Sequence, residues 1–500
     1  MAVFTMSAYT TLICSIVAAL GSFVYGMDTG IVATTIAHDS FKVYMFGSTT
    51  SVDTSTLGAA VSVYYGGKAV GAFGGGIFLS KIGRKRTLTL SSLFAVVGAA
   101  IQTGSVHIAM LIVGRLVAGL ATGALVAGIP VYIAEISVPE RRAFYVGMQG
   151  MMLAIGFMVA NWVGYAGSFA AYGDIQWRLP LAMQIPMALV LMVLSFFLPD
   201  SPRWLIEQDR LEDAKHSLWK FHGLRGEEYI QREFSEIFAQ ISFERDQKRR
   251  GALVELVSRK YLRRTATAMF ILAFCQFSGS GAIQNYQSIM YASLGFKGRT
   301  VLLISGCYGV LGPLGQALNF WVVADKWPRT RTLYVGIASL TVCLVVLTPI
   351  SAVYGDGSNE SASSAGVAFI FLYSFLNALF LNSTPYIVAS ELFPYHLRGY
   401  GSSIAIFTQA CAQILITQVT PLAFKAIEWK YYFVFIASNV VAFLFYMFLL
   451  PDTNGHTLES IGALFGDEVK AAPQPPKDID VVVELEENVT PAADRRSGSA

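Results

Sequence analysis

Charge is what this chain has least of. Only 14% of its 500 residues are Asp, Glu, Lys or Arg, against about 25% in ordinary soluble domains. That is too little to dress a water-facing surface of this size, so a soluble globular protein is excluded. The net charge of +3 is small and dispersed, which argues against a nucleic-acid partner. Cysteine is also scarce. Cys14, Cys275, Cys307, Cys343 and Cys411 all fall within apolar segments, so a disulfide framework is not expected and they read as small core residues. No metal-ligand spacing, phosphate loop or nucleophile–base constellation appears. No cofactor, no enzymatic activity and no obligate protein partner is expected. The first apolar segment is too long for a signal peptide, has no basic region before it and holds a charged residue; it reads as a retained span.

What the chain has instead is apolar length. It is 54% hydrophobic, and a bilayer span needs roughly 20 apolar residues. Twelve segments qualify, at about 8–36, 57–80, 87–106, 109–134, 143–170, 180–198, 265–294, 300–324, 331–351, 366–390, 399–424 and 430–450. The lipid bilayer is therefore the first partner. Basic residues gather in alternate loops: Lys81, Arg84, Lys85 and Arg86; Arg141 and Arg142; Arg245, Lys248, Arg249 and Arg250; Lys326, Arg329 and Arg331; Arg398. The positive-inside rule puts those loops and both termini in the cytoplasm. The sequon at Asn359 falls on the opposite side; those at Asn382 and Asn488 read as chance matches.

The longest polar run begins at LPDSPRWLIEQDR (residues 198–210), and a shorter version, LPDTNGHTLES, closes the last apolar segment. SKIGRKRT is echoed by ADKWPRTRT, and EISVPERR by ELFPYHLRG, each about 250 residues later. The pattern predicts an all-α membrane protein of two six-helix halves, residues 1–198 and 265–450. A cytoplasmic linker, 199–264, joins them, and a disordered tail, 451–500, follows. In the linker, Leu211, Ala214 and Leu218 share one helical face, and Ile230, Phe234, Ile237, Phe238 and Ile241 another, so amphipathic helices are expected there. Paired halves suit alternating access, with a site at their interface.

Four groups of polar residues stand out in or beside the spans. Asp28 and Arg115 lie about 12 and 9 Å in from the same end of their spans at about 1.5 Å per residue, so they can meet. Intramembrane acids are functional candidates by default. Burial favours a neutral acid and a nearby guanidinium an ionised one, so relative motion of the pair could load and release a proton; the alternative is a static ion pair. Gln149, Gln276, Asn285, Tyr286, Tyr386, Gln409 and Gln413 offer the amides and phenols that a hydroxyl-rich solute needs; each could instead tie spans together. Lys68, mid-span in YYGGKAVGAFGGG, either bonds carbonyls at a glycine-lined helix contact or faces the cavity and contacts an anion. At the cytoplasmic span ends, Arg84, Glu135, Arg141, Arg142, Asp325, Arg331, Glu391 and Arg398 could pair as a gate that breaks on switching.

PDSPRWL, PDTNGHTLE, GRLVAG, EISVPERR, ELFPYHLRG and QFSGSGAIQNY, at these spacings over about residues 8–460, resemble the sugar porter family of the major facilitator superfamily, its fungal members above all. The resemblance implies a major facilitator fold and a secondary carrier, expected to be a proton symporter of a sugar or related polyol at the plasma membrane. It places Asp28 and Arg115 at the proton-coupling pair of the symporters. Gln149, Gln276, Tyr286 and Gln409 match sugar-contacting positions, and Tyr25 and Thr29 flank them. The sequence departs from the pattern at Cys275, Gly281, Pro313, Tyr386 and Ala410, where amides or tryptophans are usual, so neither glucose nor xylose carries over. Ser80 replaces a usual aspartate, which predicts a weaker gate in the first half. A carrier of a sugar acid or quinate-like solute, a proton-independent facilitator and a non-transporting sensor stay open as alternatives.

Overall fold

The computed structural model describes residues 2–48, 53–138, 142–246, 252–323, 326–354, 359–393 and 395–451. The tail, Asp325, Arg141, and the side chains of Arg142 and Arg398 lie outside the described residues.

In chain order the helices of the first half are α1 (Ala2–Thr35), α2 (Asp39–Phe46), α3 (Thr54–Lys81), α4 (Arg84–Thr103), α5 (Ile108–Ile136), α6 (Arg142–Gly167), α7 (Ile175–Ala182) and α8 (Gln184–Ser195). The linker holds α9 (Pro202–Glu207), α10 (Leu211–His222), α11 (Glu227–Asp246) and α12 (Ala252–Leu256). The second half holds α13 (Leu262–Cys275), α14 (Gly281–Ser293), α15 (Arg299–Leu318), α16 (Arg329–Tyr354), α17 (Glu360–Phe380), α18 (Thr384–Glu391), α19 (Tyr395–Ile427) and α20 (Tyr432–Phe448).

Nine helical stretches among the described residues are long and apolar enough to cross a membrane, and one of them, Gly399–Phe448, runs through both α19 and α20. Helices α3 and α4 complete the twelve. The hydropathy of α3 is diluted by tyrosines, glycines and Lys68, and that of α4 by its basic first turn. The result is an all-α major facilitator fold.

Glycine makes several contacts in this bundle possible, and two of them bear on the site. Helix α3 packs on α5 so closely that a Cβ on Gly71 would lie 2.1 Å from the Leu120 carbonyl oxygen, and one on Gly119 2.1 Å from that of Tyr64. Small residues let the backbones meet where there is no hydrophobic drive between spans. The other contact is in the seventh span. Between α13 and α14 the helix widens to a π-type turn over Gln276–Ser280, where Gly279 takes φ +100 beside the Phe435 ring.

The carbonyls around that break find local donors, as the hydrocarbon phase requires. Ser278 and Ser280 hydroxyls donate to the Cys275 oxygen at 2.7 and 3.1 Å, Tyr373 to the Ser278 oxygen at 3.0 Å, and Ser438 to the Phe277 oxygen at 2.6 Å. Broken spans at the interface of two repeats are where carriers build their sites. The two halves meet along α1 with α14, α3 with α19, and α6 with α15.

The linker is packed, not a spacer. Leu211, Ala214, Phe234, Ile237, Phe238 and Ile241 close over Trp204, Leu205 and Ile206 of α9 in a core of their own. It sits at one end of the bundle, called here the linker end.

Candidate functional site

Arg115 of α5 reaches Asp28 of α1. One guanidinium nitrogen, Nη1, donates to Asp28 Oδ1 at 2.8 Å and to the Asp28 backbone oxygen at 3.2 Å, with both side chains almost fully buried. The guanidinium lies over the Tyr64 ring, 4.2 Å from its centre. Asp28 Oδ2 and Arg115 Nε and Nη2 have no partner. The Tyr64 hydroxyl and Gln102 amide face the carboxylate without closing a hydrogen bond. The pair is therefore held through a single nitrogen, not a two-point fork, and keeps one carboxylate oxygen open. The sequence reading missed Tyr64 and Gln102; the first sits four residues before Lys68 in the tyrosine pair of α3.

Lys68 is 1% exposed. Its backbone sits at the glycine contact with α5, but its Nζ reaches α1, donating to the Tyr25 hydroxyl at 2.7 Å and lying 4.4 Å from that ring's centre. The expected carbonyl partner is replaced by a phenol. Across the interface, Tyr386 of α18 lies within electrostatic reach of Lys68 and accepts from Gln409 Nε2 of α19 at 2.7 Å. Tyr25, Lys68, Tyr386 and Gln409 thus bring the two halves together at one point.

Tyr25 and Thr29 also line a central cavity of about 60 Å³ with Gln284, Asn377 and Asn382 from the second half. The Thr29 hydroxyl donates back to the Tyr25 carbonyl of its own helix at 3.0 Å. Gln276 and Gln413 converge on Gly281, whose missing side chain makes the space: a Cβ there would lie 3.2 Å from Gln276 Oε1 and 3.8 Å from Gln413 Nε2. Gln149 is half-buried on α6.

Asn285 and Tyr286 are engaged elsewhere. Asn285 Oδ1 accepts from Tyr65 of α3 at 3.0 Å, and the Tyr286 hydroxyl donates to the Thr417 carbonyl at 2.7 Å. The Asn285–Tyr65 bond joins the two halves, and three more do so away from the linker: Ser62 to Gln418 at 2.8 Å, Gln287 to Asn161 at 2.7 Å and Ser288 to the Ala33 carbonyl at 3.3 Å. These polar contacts tie the two halves together on that side.

The linker end carries a second ionic cluster. Arg84 Nη2 meets Glu135 at 2.7 Å, and its Nη1 meets Glu207 of α9 at 3.2 Å and the Leu79 carbonyl at 3.3 Å. Ser201 donates to the other Glu135 oxygen at 2.5 Å, and Trp204 Nε1 to the Ser80 carbonyl at 3.1 Å. Gly83, at φ +92, lets the Trp204 ring pack where a Cβ would sit 3.0 Å away. His222 of α10 ties the linker to Glu233 at 2.6 Å and to the Ile136 carbonyl at 3.2 Å. Glu207, at the end of the PDSPRWLIE stretch, brings Arg84 a second carboxylate that the sequence did not announce. In the second half, Arg331 stacks on Trp327, 4.7 Å from its ring centre, and Glu391 ends α18.

The Sugar (and other) transporter family profile matches residues 14–465. The chain belongs to that family of carriers and is an integral, multi-pass membrane protein. It is 34% identical to the MFS-type transporter criB of Aspergillus cristatus over 92% of this chain and 95% of that one. It is 29% identical to a quinate permease of Neurospora terricola, covering 93% of this chain and 90% of that one. Among solved structures, its fold superposes on the proton:xylose symporter XylE with a TM-score of 0.75 at 21% identity, over 92% of this chain and 100% of that one.

Proposed function

We propose that this carrier couples the entry of a sugar or related polyol to a proton, by rocking its two halves about the central cavity. The observation that carries the reading is the buried Asp28–Arg115 pair, held through one nitrogen with Asp28 Oδ2 open. A proton arriving at that carboxylate removes the charge Arg115 is bonded to. The link weakens, Arg115 keeps its stacking on Tyr64, and α1 is freed to move relative to α5. Loss of the proton on the other side re-forms the pair. A state change in two packed helices follows from one protonation, which is what coupling requires.

Tyr25, Gln276, Tyr386, Gln409 and Gln413, with Thr29 and Gln149 beside them, are assigned to the solute. Asn285, bonded to Tyr65 across the halves, and Tyr286, bonded to the Thr417 carbonyl, are assigned to holding the walls of the site. The cluster of Arg84, Glu135 and Glu207 is assigned to the gate at the linker end, with Arg141, Arg142, Asp325, Arg331, Glu391 and Arg398 as its further members. The basic loops support a cytoplasmic linker and termini, and the family supports a plasma-membrane address.

The test is uptake of labelled hexoses, pentoses, disaccharides, polyols and sugar acids in cells lacking their own carriers, with and without an inward proton gradient. Gradient-driven uptake that disappears in Asp28→Asn is expected. Uptake indifferent to the gradient would make the protein a facilitator, and a surface-exposed protein that moves nothing would make it a sensor.

A further inference from the structure

Lys68 is a fully buried lysine with no acidic partner among the described residues. Among the described residues no carboxylate lies within salt-bridge distance of it; its contacts are the Tyr25 phenol and, electrostatically, Tyr386. Asp28, the nearest acid in sequence on the facing helix α1, is committed to Arg115. An ammonium has three donors, and only one of them is used here. Buried charges are normally paired, because an unpaired one in a low-dielectric interior is strongly disfavoured. A carrier keeps such a charge where the partner comes and goes with the cargo.

The second half holds acceptors without donors in the same region of the fold. Gln409 Oε1, Gln413 Oε1 and Asn377 Oδ1 are buried and unpaired. Gln409 is bonded to Tyr386, which faces Lys68, and Asn377 lines the cavity that Tyr25 also lines. The unmet needs of the site are therefore one negative charge and several hydroxyl donors. Both are supplied by a single chemical class.

We infer that the central site takes a polyhydroxylated carboxylate, a sugar acid or cyclic polyol acid, with Lys68 as the residue that selects the acid over its neutral counterpart. This rests on the reading of the cavity as the substrate site of a proton symporter. The groups facing Lys68 are Tyr25 from α1 and Tyr386 from α18; those facing Asp28 are Arg115, Tyr64 and Gln102. The coupling proton is carried by Asp28, and over a full cycle Lys68 returns to the state it started from. One anion moving with one proton transfers no net charge, whereas a neutral sugar moving with one proton transfers one positive charge. Uptake of the acid is therefore driven by the pH gradient and is indifferent to membrane potential.

The experiment uses the full-length protein in liposomes, with two matched pairs of labelled probes: galacturonate against galactose, and quinate against its methyl ester. At pH 6 both acids are ionised. Wild-type protein is expected to prefer each acid over its neutral partner by at least about tenfold, the scale for truncating one side of a buried charged contact. Clamping the potential with valinomycin and potassium should leave acid uptake unchanged. Lys68→Met should abolish the preference, and Lys68→Arg, which keeps the charge, should retain most of it. Equal or better uptake of the neutral probes by wild type overturns the inference, as does uptake of neither acid. So does a preference that survives in Lys68→Met. The wild-type comparison stands even if the methionine variant fails to fold. Acid preference without dependence on the pH gradient leaves this inference intact and removes proton coupling; gradient-driven uptake of a neutral sugar does the reverse.

Discussion

Asp28 and Arg115 are joined through Nη1 and Oδ1 at 2.8 Å, and the rest of both head groups is unpaired and buried. Two buried charges held this way are mutually dependent. Arg115→Ala leaves a carboxylate that can stay ionised in the bilayer only at high cost, so it should hold its proton in both conformations. The expected outcome is loss of gradient-driven uptake together with a stability loss of about 3–5 kcal/mol. Thermal unfolding in detergent and uptake in intact cells measure the two separately.

The contact between α3 and α5 sets where Tyr64 and Lys68 point, because both residues sit on the backbone that Gly119 and Gly123 touch. Gly119→Ala would place a methyl group 2.1 Å from the Tyr64 carbonyl and force the helices apart. A destabilisation in the overpacking range of about 1–3 kcal/mol is expected, with reduced affinity for the solute. Gly74→Ala, on the facing helix α3 with nothing within 4 Å of a Cβ there, is the control and should behave as wild type.

At the linker end, Arg84 is shared between Glu135 of α5 and Glu207 of α9. Glu207→Gln keeps the shape and removes one charge. It should raise the inward-opening rate and lower the substrate turnover more than surface abundance. Initial uptake divided by the amount of protein at the surface checks this; an unchanged ratio counts against a gating role.

The spans were legible because hydrocarbon imposes a simple rule: roughly 20 apolar residues, with charge only where it serves a purpose. Asp28, Arg115 and Lys68 could be singled out for that reason, and helical rise alone put the first two at similar depth. The partners of Lys68 could not be read, because they depend on which way α3 is rotated at its glycine contact with α5. Asn285 and Tyr286 matched a solute-site expectation by type; that they bond Tyr65 and the Thr417 carbonyl could not be read, because those partners lie 220 and 131 positions away in the chain. The role of Glu207 was hidden for a related reason. Its charge is complementary to Arg84 across 123 positions of chain, a pairing only the folded linker creates.

His38, in the connection between α1 and α2, lies outside the spans and is 4% exposed, with its Nε2 unpaired. Burial disfavours its charged form and pushes its pKa down to about 4. The unfolded chain takes up a proton near pH 6.5 and the folded chain resists until about 4. Stability is therefore full above about pH 6.5, falls as pH drops through that window and levels off below it. The loss is at most about 3.5 kcal/mol, from about 1.4 kcal/mol per pKa unit. Melting temperature between pH 7.5 and 4.5 should fall less steeply in His38→Gln than in wild type.

The central claim is that Asp28 carries the coupling proton, and the most direct measurement is of the proton itself. Cells expressing the protein are placed in weakly buffered medium, and external pH is followed as solute is added. The account predicts immediate alkalinisation with wild type and none with Asp28→Asn, at matched surface levels. The same alkalinisation in Asp28→Asn would contradict it, because the proton would then be moving by another group.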